Sequence, residues 1–185
     1  MIKSSIGSLK KGWLSKMLAF VIGGVKSGKT KFALKKAEEL STGKLYYIAT
    51  ARAVDEEMKE RIEKHKIERG EKWITIEEPI EVDRVLKTIP KRSVIVIDCL
   101  TTWLTNLLIE DYDVEEKTNK LINILLKVKT DLNLFLISNE VGLGIIPDNP
   151  LSRKFIDLSG NLHKKVAQIA DEVYFIICGC EIKVK

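Results

Sequence analysis

Eight residues carry the clearest chemistry in the sequence: Gly23-Gly24-Val25-Lys26-Ser27-Gly28-Lys29-Thr30. They fit the pattern G-x-x-x-x-G-K-[ST], in which glycines let successive backbone N–H groups turn toward phosphate oxygens. The spacing gives Lys29 the reach to β- and γ-phosphates and gives the Thr30 hydroxyl a place on Mg²⁺. The apolar run Met17–Ile22 precedes this segment, and a helical pattern from Lys29 to Leu40 follows it. A strand–loop–helix context is what the chemistry needs, because the helix N-terminus adds a favourable dipole for an anion. Asp98 closes a second apolar run, Val94–Ile97, where a carboxylate would hold Mg²⁺ or its water shell. The alternative for Asp98 is an ordinary cap of the helix that follows it, and the two roles are compatible.

The chain has two histidines, His65 and His163. An isolated histidine on a charged helix is most simply a surface residue. Lys66 and Arg69, with Trp73 just beyond them, nevertheless give His65 cationic neighbours, which suits a triphosphate. An imidazole with a pKa near 6.5 is mostly neutral at pH 7.5 and nucleophilic, and cationic neighbours lower that pKa further. Attack on the α-phosphorus of a nucleotide would give a phosphoramidate and release pyrophosphate, dividing one transfer into two easier steps. Three readings of the phosphate signature stand, of which two are a P-loop kinase with no covalent step and a nucleotidyltransferase working through His65. A nucleic-acid-binding module of motor type is the third.

The elements that must position these residues follow from periodicity. Strands are expected at 17–22, 45–49, 73–76, 93–97, 134–138 and 173–177, and helices at 29–40, 55–69, 80–88, 100–109, 114–130 and 151–170. The stretch 140–149 carries two glycines and a proline and is expected to be a loop. Val and Ile without a break at 94–97 suit a strand buried on both faces. The alternation predicts an α/β fold with a mainly parallel sheet flanked by helices.

Composition narrows the partners. The chain has 185 residues, 45% apolar and 31% charged, and no apolar run near the 18 residues of a membrane span. Its net charge of +5 at first suggests a polyanion, but Lys3, Lys10, Lys11 and Lys16 lie in an acid-free stretch, and without them residues 17–185 carry +1. We therefore expect a single catalytic domain over 17–185 and a basic extension over 1–16, read either as a loosely ordered leader or as residues upstream of a start at Met17. No nucleic-acid partner, no stable membrane insertion and a cytoplasmic location are expected. Three cysteines, Cys99, Cys178 and Cys180, form neither an even set nor a C-x-x-C pair, and buried structural thiols are expected.

Taken together, the blocks of the sequence resemble the bifunctional adenosylcobinamide kinase/adenosylcobinamide-phosphate guanylyltransferase family. The likeness rests on GGVKSGKT, YIATA (47–51), D-x-E-M-x-x-R-I-x-x-H-x-x-x-R (55–69), W-x-T-x-E-E-P (73–79) and DCLTTWLTNLL (98–108). It continues through SNEVGLGIIP (138–147), N-x-L-x-R-x-F-x-D-x-x-G (149–160) and ADEV (170–173). What the resemblance implies is a RecA-like P-loop fold, use of ATP or GTP with Mg²⁺, a corrinoid substrate and a homotrimer with the cleft completed by a neighbour. It implies guanylylation of His65, with Lys66 and Arg69 close to the nucleotide and Thr50 and Ala51 in a loop of the same site. Glu77 and Asp98 match acidic positions of that site, and Glu77 is the candidate reader of guanine N1–H and its 2-amino group. Two departures stand out: His163-Lys164 where the family commonly has Asn-Gln, and Gly179-Cys180-Glu181 where it has Gly-x-Pro. Asn139, Glu140 and Arg153 read equally as substrate contacts or as supports of a glycine-rich loop.

Overall fold

The computed structural model describes residues 16–185 apart from Thr42 and Val54, and only the backbone at Arg61, His65 and Glu68. The basic extension expected over 1–16 lies, but for Lys16, outside the described residues. Thirteen elements follow one another: β1 (Leu18–Gly23), α1 (Lys29–Glu39), β2 (Leu45–Ala49), α2 (Glu56–Arg69), β3 (Trp73–Glu77), α3 (Val82–Thr88) and β4 (Val94–Asp98). Then come α4 (Leu100–Ile109), α5 (Val114–Val128), β5 (Asn133–Asn139), α6 (Pro150–Ile169), β6 (Glu172–Ile177) and β7 (Cys180–Lys183).

The strands form one seven-stranded sheet in the order β3-β2-β4-β5-β1-β6-β7. The first six are parallel, as the alternation predicts, and β7 pairs antiparallel with β6. Continuous apolar runs fit this arrangement because a parallel sheet is covered on both faces. One face of the sheet, with Phe20, Ile95, Ile97 and Leu136, packs against residues of α3 to α6 such as Leu86, Trp103, Leu121 and Val166. The other face, with Ala19, Val21, Val96, Phe135 and Ile137, packs against Ala33 and Ala37 of α1. Burying each large apolar side chain contributes roughly 1.5–3 kcal/mol. Trp103 is fully enclosed, and its indole N–H donates to the Ile80 carbonyl at 2.8 Å, so its burial leaves no polar group unmet.

β7 was not expected. Cys178 and Gly179, with φ of 50° and 81°, make a two-residue turn that doubles the chain back along β6. The same turn corrects the expectation for two of the cysteines: Cys99 is buried, but Cys178 and Cys180 sit in the turn and on the edge strand and are exposed.

Candidate active site

The parallel strands bring their C-terminal ends to one edge, where the loops of an open α/β sheet leave a crevice. β5 lies between β1 and β4, so the loop after β1 and the carboxylate ending β4 face each other across one strand. Helices α2, α5 and α6 are capped by the side chains of Asp55, Asp113 and Asn149. Helix α1 begins instead at Gly28, with φ of 95° and no side-chain cap, which leaves its first-turn amides for a ligand. The Lys29 ammonium donates to the Gly24 carbonyl at 3.0 Å, folded back over the loop. Burial pushes its pKa below the ordinary lysine value, and the Asp98 carboxylate opposes that shift.

Thr30 Oγ1 donates to Asp98 Oδ2 at 2.9 Å, and Tyr47 donates its hydroxyl to the same oxygen at 2.8 Å. Burial, reinforced by Asp98, raises the Tyr47 pKa well above that of an ordinary phenol, so it stays a donor. The cap of α4 is Cys99 and not Asp98, whose side chain turns to Thr30 and Tyr47. Behind it, Thr50 locks the ends of β2 and β4 together, its hydroxyl bonding the Cys99 carbonyl and amide at 2.8 Å each. Asn106 holds the loops after β2 and β3 by donating to the carbonyls of Thr50 (2.8 Å) and Pro79 (3.1 Å). A single amide in the apolar stretch Leu104–Leu108 was the signal for this role.

These groups open into a cleft of about 1260 Å³. Val25, Lys26, Ser27, Gly28, Lys29, Thr30, Ala51, Arg69 and Asp98 line it, and Gly23 and Gly24 shape the loop beneath. Its described walls carry seven lysines and arginines against four carboxylates, an excess suited to a polyphosphate. Among the described residues, two buried side-chain polar atoms lack a hydrogen-bond partner, Ser27 Oγ and Arg69 Nε, and both belong to this wall. Buried polar groups are rarely left unmet, so a pair of them in one cleft points to this wall as a place for a ligand to bind. A smaller hollow of about 370 Å³ between α3 and α5 holds none of the signature residues.

Helix α2 forms one wall, and its last residue, Arg69, is the one described residue on it that is buried. The Arg69 guanidinium lies 3.7 Å from the Tyr47 ring centre and donates to Thr75 Oγ1 at 3.3 Å. His65 stands one turn before Arg69 on the same helix. Lys66 does not line the cleft but reaches Glu77 at 3.5 Å and Glu63 at 3.7 Å, and Glu77 likewise lies outside the lining. Asn139 does line the cleft, donating to Thr101 Oγ1 at 2.9 Å. Glu140 and Arg153 support the loop instead: Glu140 accepts from Gly142 N, and Arg153 donates to the carbonyls of Pro147 (2.9 Å) and Asp148 (2.6 Å). His163 packs under that loop, 2.7 Å from the Ser138 hydroxyl, and does not line the cleft.

Thr30 and Asp98 are hard oxygen donors side by side, the kind of pair to which Mg²⁺ binds while phosphate oxygens and water complete its shell. The residues fit the ion. Bound there, Mg²⁺ would neutralise charge on the transferred phosphate.

Comparison with known proteins agrees with the geometry. Residues 19–184 match the family described as cobinamide kinase / cobinamide phosphate guanyltransferase. The bifunctional adenosylcobalamin biosynthesis protein CobP of Pseudomonas aeruginosa is 36% identical over 172 residues, covering 91% of this chain and 98% of its own. The protein CobU of Escherichia coli, of the same description, is 33% identical over 183 residues, covering 91% of this chain and all of its own. Among solved structures, the flagellar accessory protein FlaH of Methanocaldococcus jannaschii is similar with a TM-score of 0.50 and 13% identity, covering 92% of this chain and 79% of its own. That likeness concerns the fold, which is RecA-like with a P-loop.

Proposed function

The chain belongs to the cobinamide kinase/cobinamide phosphate guanyltransferase family, and we propose that its P-loop cleft serves both reactions in turn. It is a bifunctional kinase and guanylyltransferase of cobalamin biosynthesis. In the first reaction ATP or GTP gives its γ-phosphoryl group to the aminopropanol hydroxyl of adenosylcobinamide. The hydroxyl oxygen bonds to the γ-phosphorus, the bond to the β-bridging oxygen breaks, and a nucleoside diphosphate leaves. The P-loop amides and Lys29 hold the triphosphate while Thr30 and Asp98 supply the oxygens for Mg²⁺, so the chain acts by positioning and charge neutralisation.

In the second reaction a ring nitrogen of His65 attacks the α-phosphorus of GTP, and pyrophosphate leaves with the electrons of the broken P–O bond. A phosphate oxygen of adenosylcobinamide phosphate then displaces the histidine, giving adenosylcobinamide-GDP and free His65. Arg69, one turn further on, brings an unmet donor to the same wall. Guanine recognition is assigned to Glu77, in register with the cleft residue Ala49. Its ion pair with Lys66 is exposed, worth at most about 1 kcal/mol, and opens readily to a base. Ala51 and the Thr50 latch shape the loop beside it.

We further assign residues 17–185 to one catalytic domain, supported by a single sheet with β1 at its interior. Among the described residues no helix is long and apolar enough to cross a membrane. A cytoplasmic enzyme that leaves nucleic acid unbound fits the net charge of +1 over 17–185. Ile145 and Ile146, 97% and 76% exposed on the loop after β5, support a homotrimer in which a neighbour covers them.

The observation that carries the reading is the pair of unmet buried donors on the wall of the P-loop cleft. The test is incubation with GTP labelled at the α-phosphate. Acid-labile, base-stable label that vanishes in His65→Ala is expected. Absence of label at every Mg²⁺ concentration would refute the covalent step and leave a plain kinase.

A further inference from the structure

Tyr47 opens the YIATA block, but no role was attached to it, and neither reaction as written above uses it. It stands in the middle of β2, 5% exposed, with its hydroxyl 2.8 Å from Asp98 Oδ2. Thr30 Oγ1 donates to that same oxygen from the other side, at 2.9 Å. No described donor takes Asp98 Oδ1, so the two bonds on Oδ2 leave the second oxygen free. The carboxylate torsion of an aspartate is broad and soft, and one hydrogen bond from a threonine that must also serve a metal holds it poorly. A phenol whose ring is itself fixed holds it far better.

The ring is fixed on two sides. Trp73 meets it edge-on with centroids 6.3 Å apart, and the Arg69 guanidinium lies 3.7 Å from its centre. Arg69 is the buried end of α2, the helix that carries His65, and among the described residues the Tyr47 ring is the one aromatic face it stacks on. One side chain therefore touches both halves of the site: the carboxylate beside the P-loop through its oxygen, and the wall of the second reaction through its face.

We propose that Tyr47 is the positioning residue of the metal-binding carboxylate, orienting Asp98 so that Oδ1 is presented to Mg²⁺ and the nucleotide while its ring seats Arg69. The inference rests on the assignment of Asp98 to Mg²⁺ made above. Partners that orient a metal ligand are worth roughly 10- to 100-fold in metal affinity or activity.

The test uses the full chain and the variant Tyr47→Phe, which keeps the ring under Arg69 and removes the hydroxyl. Mn²⁺ serves as the probe, its free concentration followed by electron paramagnetic resonance in the presence of a non-hydrolysable GTP analogue. Mn²⁺ affinity is expected to fall about tenfold, with nucleotide affinity in EDTA unchanged. The Mg²⁺ concentration for half-maximal guanylylation should rise by a similar factor, with most of the rate recovered at saturating Mg²⁺. A metal midpoint equal to that of the wild type overturns the inference, whether or not the melting temperature falls. Asp98→Asn is run beside it. If Asp98→Asn loses Mn²⁺ and Tyr47→Phe does not, only the role of Tyr47 fails. If Asp98→Asn binds Mn²⁺ as the wild type does, the magnesium assignment fails and takes the inference with it.

Discussion

Gly23 and Gly24 are neighbours in the same signature, yet the structure predicts opposite fates for their alanine variants. A Cβ on Gly23 would lie 2.5 Å from the Ile176 carbonyl oxygen and 2.8 Å from Ser27 Oγ, whereas one on Gly24 meets nothing within 4 Å. Gly23 pairs with Ile176 in the parallel ladder between β1 and β6, so the first clash is with backbone that cannot rotate away. Relief to an ordinary contact of 3.4 Å requires a displacement of about 0.9 Å at the end of β1, where the phosphate loop begins. Overpacking of this kind costs about 1–3 kcal/mol. In a chain of this size each kcal/mol lowers the melting temperature by about 2–4 °C, so Gly23→Ala should melt roughly 2–12 °C below the wild type. Misplacement by nearly 1 Å should also lower both transfer rates about 100-fold. Gly24→Ala should melt within about 0.5 kcal/mol of the wild type. Thermal melts of both variants, with rates of corrinoid phosphorylation and guanylylation, make the comparison. Equal melting temperatures for the two variants, or a Gly23→Ala enzyme with wild-type rates, would refute the reasoning.

Two further outcomes follow from titratable groups. Burial lowers the His163 pKa below 6.5, with Glu140 opposing, so the unfolded chain takes up this proton first. The associated stability is complete above pH 6.5 and is lost as pH falls through the lowered folded value. His163→Asn should therefore lose less melting temperature between pH 7.5 and 5 than the wild type, and equal losses would refute the assignment. Burial also raises the Cys99 pKa, while Cys178 and Cys180 are exposed. A thiol reagent at pH 8 should modify two cysteines rapidly in the native protein and the third only on unfolding, and fast modification of all three would contradict the structure.

The sequence makes the phosphate loop legible because its chemistry is local: eight consecutive residues set the backbone path, the ammonium and the hydroxyl. Thr30 and Asp98, 68 residues apart, could each be read as a magnesium residue, one in the first turn of α1 after the phosphate loop and the other at the end of β4. Tyr47, Asn106 and the Arg69 stack were not legible. Tyr47 reads as another buried aromatic of a strand, and its hydroxyl acquires a role only when register sets Ala49 beside Asp98. Lys66 and Glu77 illustrate the converse, since the motif brings them near the site but the fold pairs them with each other. β7 escaped notice because four exposed residues on an edge carry no alternation, and its turn is built on Cys178 in a left-handed conformation that sequence rarely signals.

The place of β1 in the sheet also bears on how the protein is made. Its partners are β5 and β6, and the bonds that receive it join Met17 to Asn133 and Leu18 to Asp171, separations of 116 and 153 residues. The phosphate loop is braced later still, where the Gly179 amide donates to the Ser27 carbonyl at 2.9 Å. At 5–20 residues per second, ribosomal synthesis separates Leu18 from Asp171 by roughly 8–30 s. For roughly the first 6–23 s of it, until β5 emerges, β1 has no neighbouring strand, and β6 reaches it only at the end. The nascent chain must keep this segment from misassociating until nearly all of the sheet has emerged, so nucleotide can assist only the last stage of folding.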